Sequence, residues 1–160
     1  MTVDPTVPQP IPFDVIKAMR GIDLLQAMID GKLPPPPISK ALDFRISEVS
    51  PGFAVFTCTP KMMHYNPIGS VHGGYAATLL DSACGIAVHS QLGPGRGHTT
   101  LELKVSYLRG LTDKSGQVRA VGRVTSIGRR AAFAEATLHD ASGRLCATAT
   151  STLLLFDLER

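Results

Sequence analysis

Apolar positions recur at three- and four-residue spacings between Asp14 and Gly31, where Val15, Met19, Ile22, Leu25, Met28 and Ile29 would share one face. That period predicts an amphipathic helix, with Asp14 as a possible N-cap and Gly31 as its stop. The prolines Pro34 to Pro37 then favour a stiff polyproline spacer. From Ala41 the period becomes two: "ALDFRISEVS" alternates Leu42, Phe44 and Ile46 with polar neighbours, and Pro51-Gly52 turns the chain into "FAVFTCTP", a hairpin. A run of small and apolar residues from about Gly73 to Gln91 reads as a second helix, closed by "LGPGRG". Four strand-like runs follow, "TTLELKVSYL", "GQVRAVGRVTSI", "RAAFAEATLHD" and "GRLCATATSTLLLF", joined by "RGLTDKSG", "GR" and "ASG".

Connections of that length imply an antiparallel meander, and a sheet of about six strands curls rather than staying flat. A curl needs a filling. The second helix supplies it, because Gly73, Gly74, Ala76, Ala77, Ala83, Gly85 and Ala87 let a sheet approach closely. The fold class is therefore α+β, a curved antiparallel sheet around one long helix with an extra helix ahead of it. A 160-residue chain with 44% apolar residues suits one core. Residues 1–40 form an arm, helix and spacer; residues 41–160 form the main domain.

Composition narrows the function by exclusion. No run is long and apolar enough for a membrane span, and "MTVDPTVPQPIP" has neither region of a signal peptide, so a cytoplasmic protein that engages no membrane is expected. Its four prolines and lack of pattern suggest an extended or disordered arm. Cys58, Cys84 and Cys146, odd in number and without a metal motif, are expected as reduced core thiols. His64, His89, His98 and His139 show no paired metal spacing, and no GxSxG occurs. A net charge of +3 is too small to indicate nucleic acid, yet residues 104–144 carry eight cations against three acids, a local excess that suits a small phosphate-bearing ligand.

The segments "NPIGSVHGGYAATLLD", "LELKVSYLRG", "GRVTSIGRR" and "GRLCATATSTL" resemble the hotdog-fold acyl-CoA thioesterases of the phenylacetic acid degradation (PaaI-like) type, over residues 41 to 155. The resemblance implies hydrolysis of a coenzyme A thioester in a site shared by two subunits. It places the family's asparagine on Asn66, its histidine on His72, its oxyanion-binding glycine on Gly73 and its catalytic carboxylate on Asp81. A hydroxyl that supports the carboxylate falls on Thr100, with Tyr107 at the family's conserved aromatic; Gly110 stands where the family has proline. Strand parity alone groups Thr100 with Glu102 and Lys104, and Thr99 with Leu101, Leu103 and Val105. The nucleotide end of coenzyme A is placed near Arg129 and Arg130, whose guanidinium groups suit phosphate. No cofactor is expected beyond the coenzyme A of the substrate. Met62, Met63 and Tyr75 flank the motif as candidates for an acyl pocket.

Spacing adds an independent constraint. Gly73 and Asp81 are eight residues apart, so on one helix they stand about 12 Å apart along the axis and roughly 80° around it. An oxyanion donor must lie within about 3 Å of the developing charge, with the base near the same carbon. One copy of the helix fails this requirement. Two antiparallel copies about a two-fold axis satisfy it twice, which implies a homodimer or a dimer of such dimers. Asp81 would act as general base or as nucleophile on an aryl or medium-chain thioester. The competing readings are an acyl-CoA sensing module without turnover and a hotdog acyl-thioester dehydratase; the acid's place on the helix disfavours the latter.

Overall fold

The computed structural model describes residues 9–159. Three short helices, α1 (Phe13–Ala18), α2 (Gly21–Ile29) and α3 (Pro37–Ala41), precede a hairpin of β1 (Phe44–Ser50) and β2 (Phe53–Cys58). The long helix α4 (Gly73–His89) follows, then β3 (Arg96–Tyr107), β4 (Val118–Ile127), β5 (Ala131–His139) and β6 (Leu145–Asp157). The six strands form one antiparallel sheet in the order β1-β2-β4-β5-β6-β3, wrapped around α4. This is the α+β hotdog architecture expected from the sequence. Among the described residues no helix is long and apolar enough to cross a membrane.

Close approach of helix and sheet follows from residue size. The concave face of the sheet presents Ala120 and Gly122 from β4, Ala132, Ala134 and Ala136 from β5, and Ala147 and Ala149 from β6, alternating with residues that point outward. Gly122 marks the tightest point, since a Cβ there would stand 2.1 Å from the Ala83 carbonyl oxygen of α4. Leu79, Leu80, Cys84 and Val88 of α4 are fully enclosed by this surface.

Three expectations need correction. The single helix over 14–31 is two helices, with extended backbone at Met19 and Arg20 between them. Gly21 explains the break: its amide donates to the Leu92 carbonyl at 2.9 Å, and a Cβ there would sit 1.8 Å from the His89 carbonyl oxygen. Docking against the end of α4 thus overrides helical continuity. Pro34–Pro36 are extended as expected, with Pro36 at φ −62° and ψ 148°, but Pro37 opens α3, a position where its missing N–H costs nothing. The arm expected at the N-terminus lies mainly outside the described residues.

The third correction is topological. Strands β4, β5 and β6 form the anticipated meander, but β3 pairs with β6 at the far edge and β4 pairs with β2. The segment between β3 and β4 is long enough to cross the N-terminal end of α4, and Leu111 in it accepts the amide of Val71 at 2.9 Å. One long edge of the sheet, β3, is left without a neighbour.

At the opposite end of α4 the rings of His89 and His98 lie 5.4 Å apart between centroids, and both Nδ1 atoms are buried without a partner among the described residues. Burial, and then the proximity of His89, lowers His98 to about 4. A histidine with a depressed folded pKa contributes stability that is complete above its unfolded value of about 6.5 and is lost as pH falls towards the folded value.

Two measurements check this packing. Gly122→Ala should destabilise the fold by at least about 3 kcal/mol, because the obstructing atoms are helix backbone, whereas Gly93→Ala, with open space around it, should stay within about 0.5 kcal/mol; urea unfolding reads both. Thermal unfolding at pH 5 against pH 7.5 should show a loss of roughly 2 kcal/mol that shrinks in His98→Gln.

Candidate active site

The chain enters α4 through a loop that its own side chains hold. Asn66 Oδ1 accepts the amides of Ile68 and Ser70, both at 3.1 Å, and Asn66 Nδ2 donates to Ser70 Oγ at 3.0 Å. Asn66 therefore shapes the loop over 66–70, as an asparagine before proline is suited to do. The His72 amide donates to the His64 carbonyl at 2.8 Å, tying the loop to the turn at Met62–His64. His64 itself stacks on Tyr75 with ring centroids 4.1 Å apart.

His72 is the N-cap of α4. Its Nδ1 accepts the Gly74 amide at 2.9 Å and its carbonyl accepts the Tyr75 amide at 3.0 Å, so Nδ1 is engaged as an acceptor. These contacts use two of the first-turn donors and leave the Gly73 amide, which has no acceptor within the helix. That amide sits at the positive end of the α4 dipole. Tyr107 of β3 covers the Gly73 α-carbon: its Oη donates to the Gly73 carbonyl at 2.9 Å, and its ring lies 3.3 Å from where a Cβ would be. A side chain here would press on the Tyr107 ring, which would have to give by a few tenths of an ångström, so the preference for glycine comes from contact and not from backbone angle.

Asp81 stands two turns along α4 and is half-buried. Thr100 Oγ1 donates to its Oδ1 at 2.9 Å, while Oδ2 has no hydrogen-bond partner among the described residues. Strand parity assigned Thr100 to the outer face with Glu102. A β-bulge between Thr100 and Glu102 reverses that assignment. Leu101 is the extra residue, 61% exposed, so Thr100 faces the helix on one side of it and Leu103 and Val105 do so on the other.

Asn66, His72 and Gly73 thus gather at one end of α4, and Asp81 and Thr100 further along it. Their contacts with β3 fix the spacing: Gly73 is held by Tyr107 and Asp81 by Thr100, positions about 20 Å apart on an extended strand. A cavity of about 290 Å³ opens beside Gly73, lined by Ala76, Tyr107, Arg109, Leu138 and Cys146 among others. Asp81 is not part of it. Tyr75 is not in this cavity either; it is 6% exposed, and its hydroxyl donates to the Leu42 carbonyl at 2.9 Å. Met62 and Met63 lie exposed on the turn before the loop. Leu108, Arg109, Gly110 and Leu111, the segment that follows β3, line the cavity in their place; their leucines stand outside the motif over residues 66–81 and follow no helical or strand period.

Arg129 and Arg130 occupy the exposed β4–β5 turn. Their carbonyls are held by Arg96 Nη2 and the Leu155 amide, both at 2.8 Å, which places the turn near the end of the sheet where His98 pairs with Leu155. They stand apart from Gly73. All three cysteines are buried and free, with burial raising Cys58 to about 11 and Cys84 to about 12. No cluster of His, Cys, Asp or Glu among the described residues could hold a metal ion.

Residues 68–147, half of the chain, match the family model described as the thioesterase superfamily. A putative esterase of Halobacterium salinarum is 40% identical over 78 residues, 47% of this chain and 50% of the relative. The proofreading thioesterase EntH of Cronobacter sakazakii is 30% identical over 92 residues, 57% of this chain and 66% of the relative. The chain thus spans between half and two thirds of the length of these curated relatives. Among solved structures, a putative thioesterase from Ralstonia eutropha described as phenylacetic acid degradation-related superposes with a TM-score of 0.74 at 29% identity, covering 81% of this chain and 98% of that one. The Escherichia coli PaaI protein from the phenylacetic acid degradation operon gives 0.74 at 22% identity over 88% and 96%, a likeness of fold. With the matched segment running from the loop before His72 into β6, and with the same curved sheet around the same helix, the chain belongs to the thioesterase superfamily.

Proposed function

We propose that the protein hydrolyses acyl-CoA thioesters of aryl or medium-chain acids, in a site that two copies of the chain build together. The observation that carries this reading is the pair of contacts that hold Asp81 to Thr100 and Gly73 to Tyr107 within one chain. It keeps the carboxylate and the helix-end amide too far apart for one thioester carbon. A second copy running the other way brings its Asp81 beside the first copy's Gly73. The unpaired edge of β3, twelve residues long and carrying both Thr100 and Tyr107, offers main-chain donors and acceptors to such a copy.

The chemistry follows from the groups at hand. The Gly73 amide binds the thioester oxygen as it becomes an oxyanion, a contact whose loss typically costs about 3 to 4 kcal/mol in transition-state stabilisation. Tyr107 holds the carbonyl of the same residue and so fixes the direction of the first turn. The Asp81 carboxylate, oriented by Thr100 through Oδ1, presents Oδ2 to a water or to the carbonyl carbon itself. The departing thiolate is a weak base and needs little protonation. Apolar walls from Ala76, Leu138 and Ala147 beside Gly73 suit an acyl group. Arg129 and Arg130 supply charge for the phosphates of coenzyme A, whose solvent-exposed turn leaves them accessible. His72 is occupied in capping the helix through Nδ1, which favours hydrolysis over a dehydratase that would need that ring as its base.

Release of free thiol from a panel of acyl-CoAs tests the assignment. Hydrolysis of an aryl or medium-chain member is expected, and Asp81→Asn should lower kcat/KM by at least about a hundredfold, the scale of a lost general base. Equal rates in both proteins would remove Asp81 from the mechanism, and tight binding without thiol release would favour the sensing module. Thr100→Val should cost about tenfold to a hundredfold in kcat/KM, the range of one hydrogen bond to a charged group. Thr100→Ser should retain most of the rate, and a Val variant as active as wild type would show that the contact orients nothing.

A further inference from the structure

A second cavity, larger than the one beside Gly73, lies away from this site. It measures about 700 Å³ and is enclosed by α2, the proline segment, β1, β2 and the far side of α4. Leu25 and Phe56, both buried, form its floor, and Met28, Leu33, Ile46 and Ile86 form its walls. Ile86 is five residues beyond Asp81, so the two point roughly 140° apart around the helix. The cavity and the Asp81 carboxylate therefore open in different directions. Apart from Ile86, every residue that lines it lies outside the segment that matches the family.

Its walls are stiff and its rim is charged. Pro34, Pro35 and Pro36 form one side of the opening, with φ fixed by their rings. A preformed apolar space of this volume is within the range of small-molecule sites. Two cations, Lys32 and Arg45, stand among its lining residues, and no acid does. Lys32 is paired with Asp30 at 2.8 Å. Arg45 makes no ion pair among the described residues, and Asp43, the acid two residues before it, is held by Lys61. Arg45 lies within the field of Asp43, yet it brings to the lining of this apolar chamber a guanidinium that no ion pair among the described residues occupies.

We propose that this chamber binds an amphipathic organic acid, its hydrocarbon body between α2, β1 and α4 and its carboxylate on Arg45, at a site separate from that of thioester hydrolysis. Apolar volume alone would accept a neutral hydrocarbon. The positive rim selects an anionic head, since a charge-assisted contact to a guanidinium rewards a carboxylate specifically. A free acid of this kind has the chemistry of the product that a thioesterase releases, but the site rests on the cavity and its charges and does not require that the chain hydrolyse anything.

Titration calorimetry of the full-length protein with dodecanoate, kept below its micellar concentration, tests the proposal. One saturable site per chain is expected. Arg45→Glu, an exposed substitution, should weaken dodecanoate at least about tenfold while leaving 1-dodecanol unchanged. Met28→Trp should abolish binding of both by filling the chamber; if it fails to fold by circular dichroism, the Arg45 variant still decides. Asp81→Asn should bind dodecanoate as wild type does, whether or not wild type hydrolyses acyl-CoA. Several results would overturn the assignment: no saturable binding, equal dodecanoate affinity in wild type and Arg45→Glu, or loss of binding in Asp81→Asn, which would put the acid in the hydrolytic site. Absence of binding together with a change of oligomeric mass in Ile46→Glu would show instead that a second copy covers the chamber.

Discussion

A helix is a rigid rod, and here it is held at two points by one strand. Tyr107 grips the first turn of α4 through the Gly73 carbonyl, and Thr100 grips its middle through Asp81. The rest of the molecule makes those grips possible. Alanines on β4, β5 and β6, with Gly122 beneath Ala83, let the helix sink into the sheet until β3 can reach it. Because neither grip can slide, the amide and the carboxylate keep a separation that no side-chain rotation closes. A reaction that needs both groups at one carbon must take one of them from another molecule.

The same constraint explains why β3 sits where it does. As the third strand in a simple meander it would lie inside the sheet, with both edges paired. Placed at the edge beside β6, it keeps one side free along a strand that carries both Thr100 and Tyr107. The bulge at Leu101 then does two things: it turns Thr100 inward to Asp81 and leaves an apolar side chain outside. An exposed leucine on an unpaired edge is costly for a lone chain and useful for a paired one.

Much of this was legible before any coordinates. A run of small and apolar residues closed by glycines and a proline located the long helix, alternation and turn residues located all six strands, and the small residues of α4 signalled a helix wrapped closely by a sheet. The loop with Asn66, His72 and Gly73, and the acid two turns later, stood out through residue type and spacing. What escaped were effects of contact. Parity along β3 put Thr100 on the wrong face, because a bulge leaves no mark in an alternating pattern. The apolar spacing around Gly21 read as continuous helix, since nothing local announces that the glycine must meet the His89 carbonyl. Tyr75 resembled a pocket residue by adjacency to the motif, yet its hydroxyl is spent on Leu42 and its ring on His64. The chamber under the prolines is assembled from four separate stretches of chain, so no single stretch could reveal it.

The measurement that bears most directly on the shared site is complementation between two inactive chains. Asp81→Asn keeps an intact helix end, and Gly73→Val, which crowds the Tyr107 ring, keeps an intact acid. Unfolded together and refolded as an equal mixture, half of the dimers should be hybrids, and each hybrid should hold one site with both groups native. A site built across two chains requires recovery of about a quarter of the wild-type rate per chain. A mixture that stays as inactive as its parents, although labelled subunits are shown to have exchanged, would mean that Gly73 and Asp81 act within one chain or do not act together.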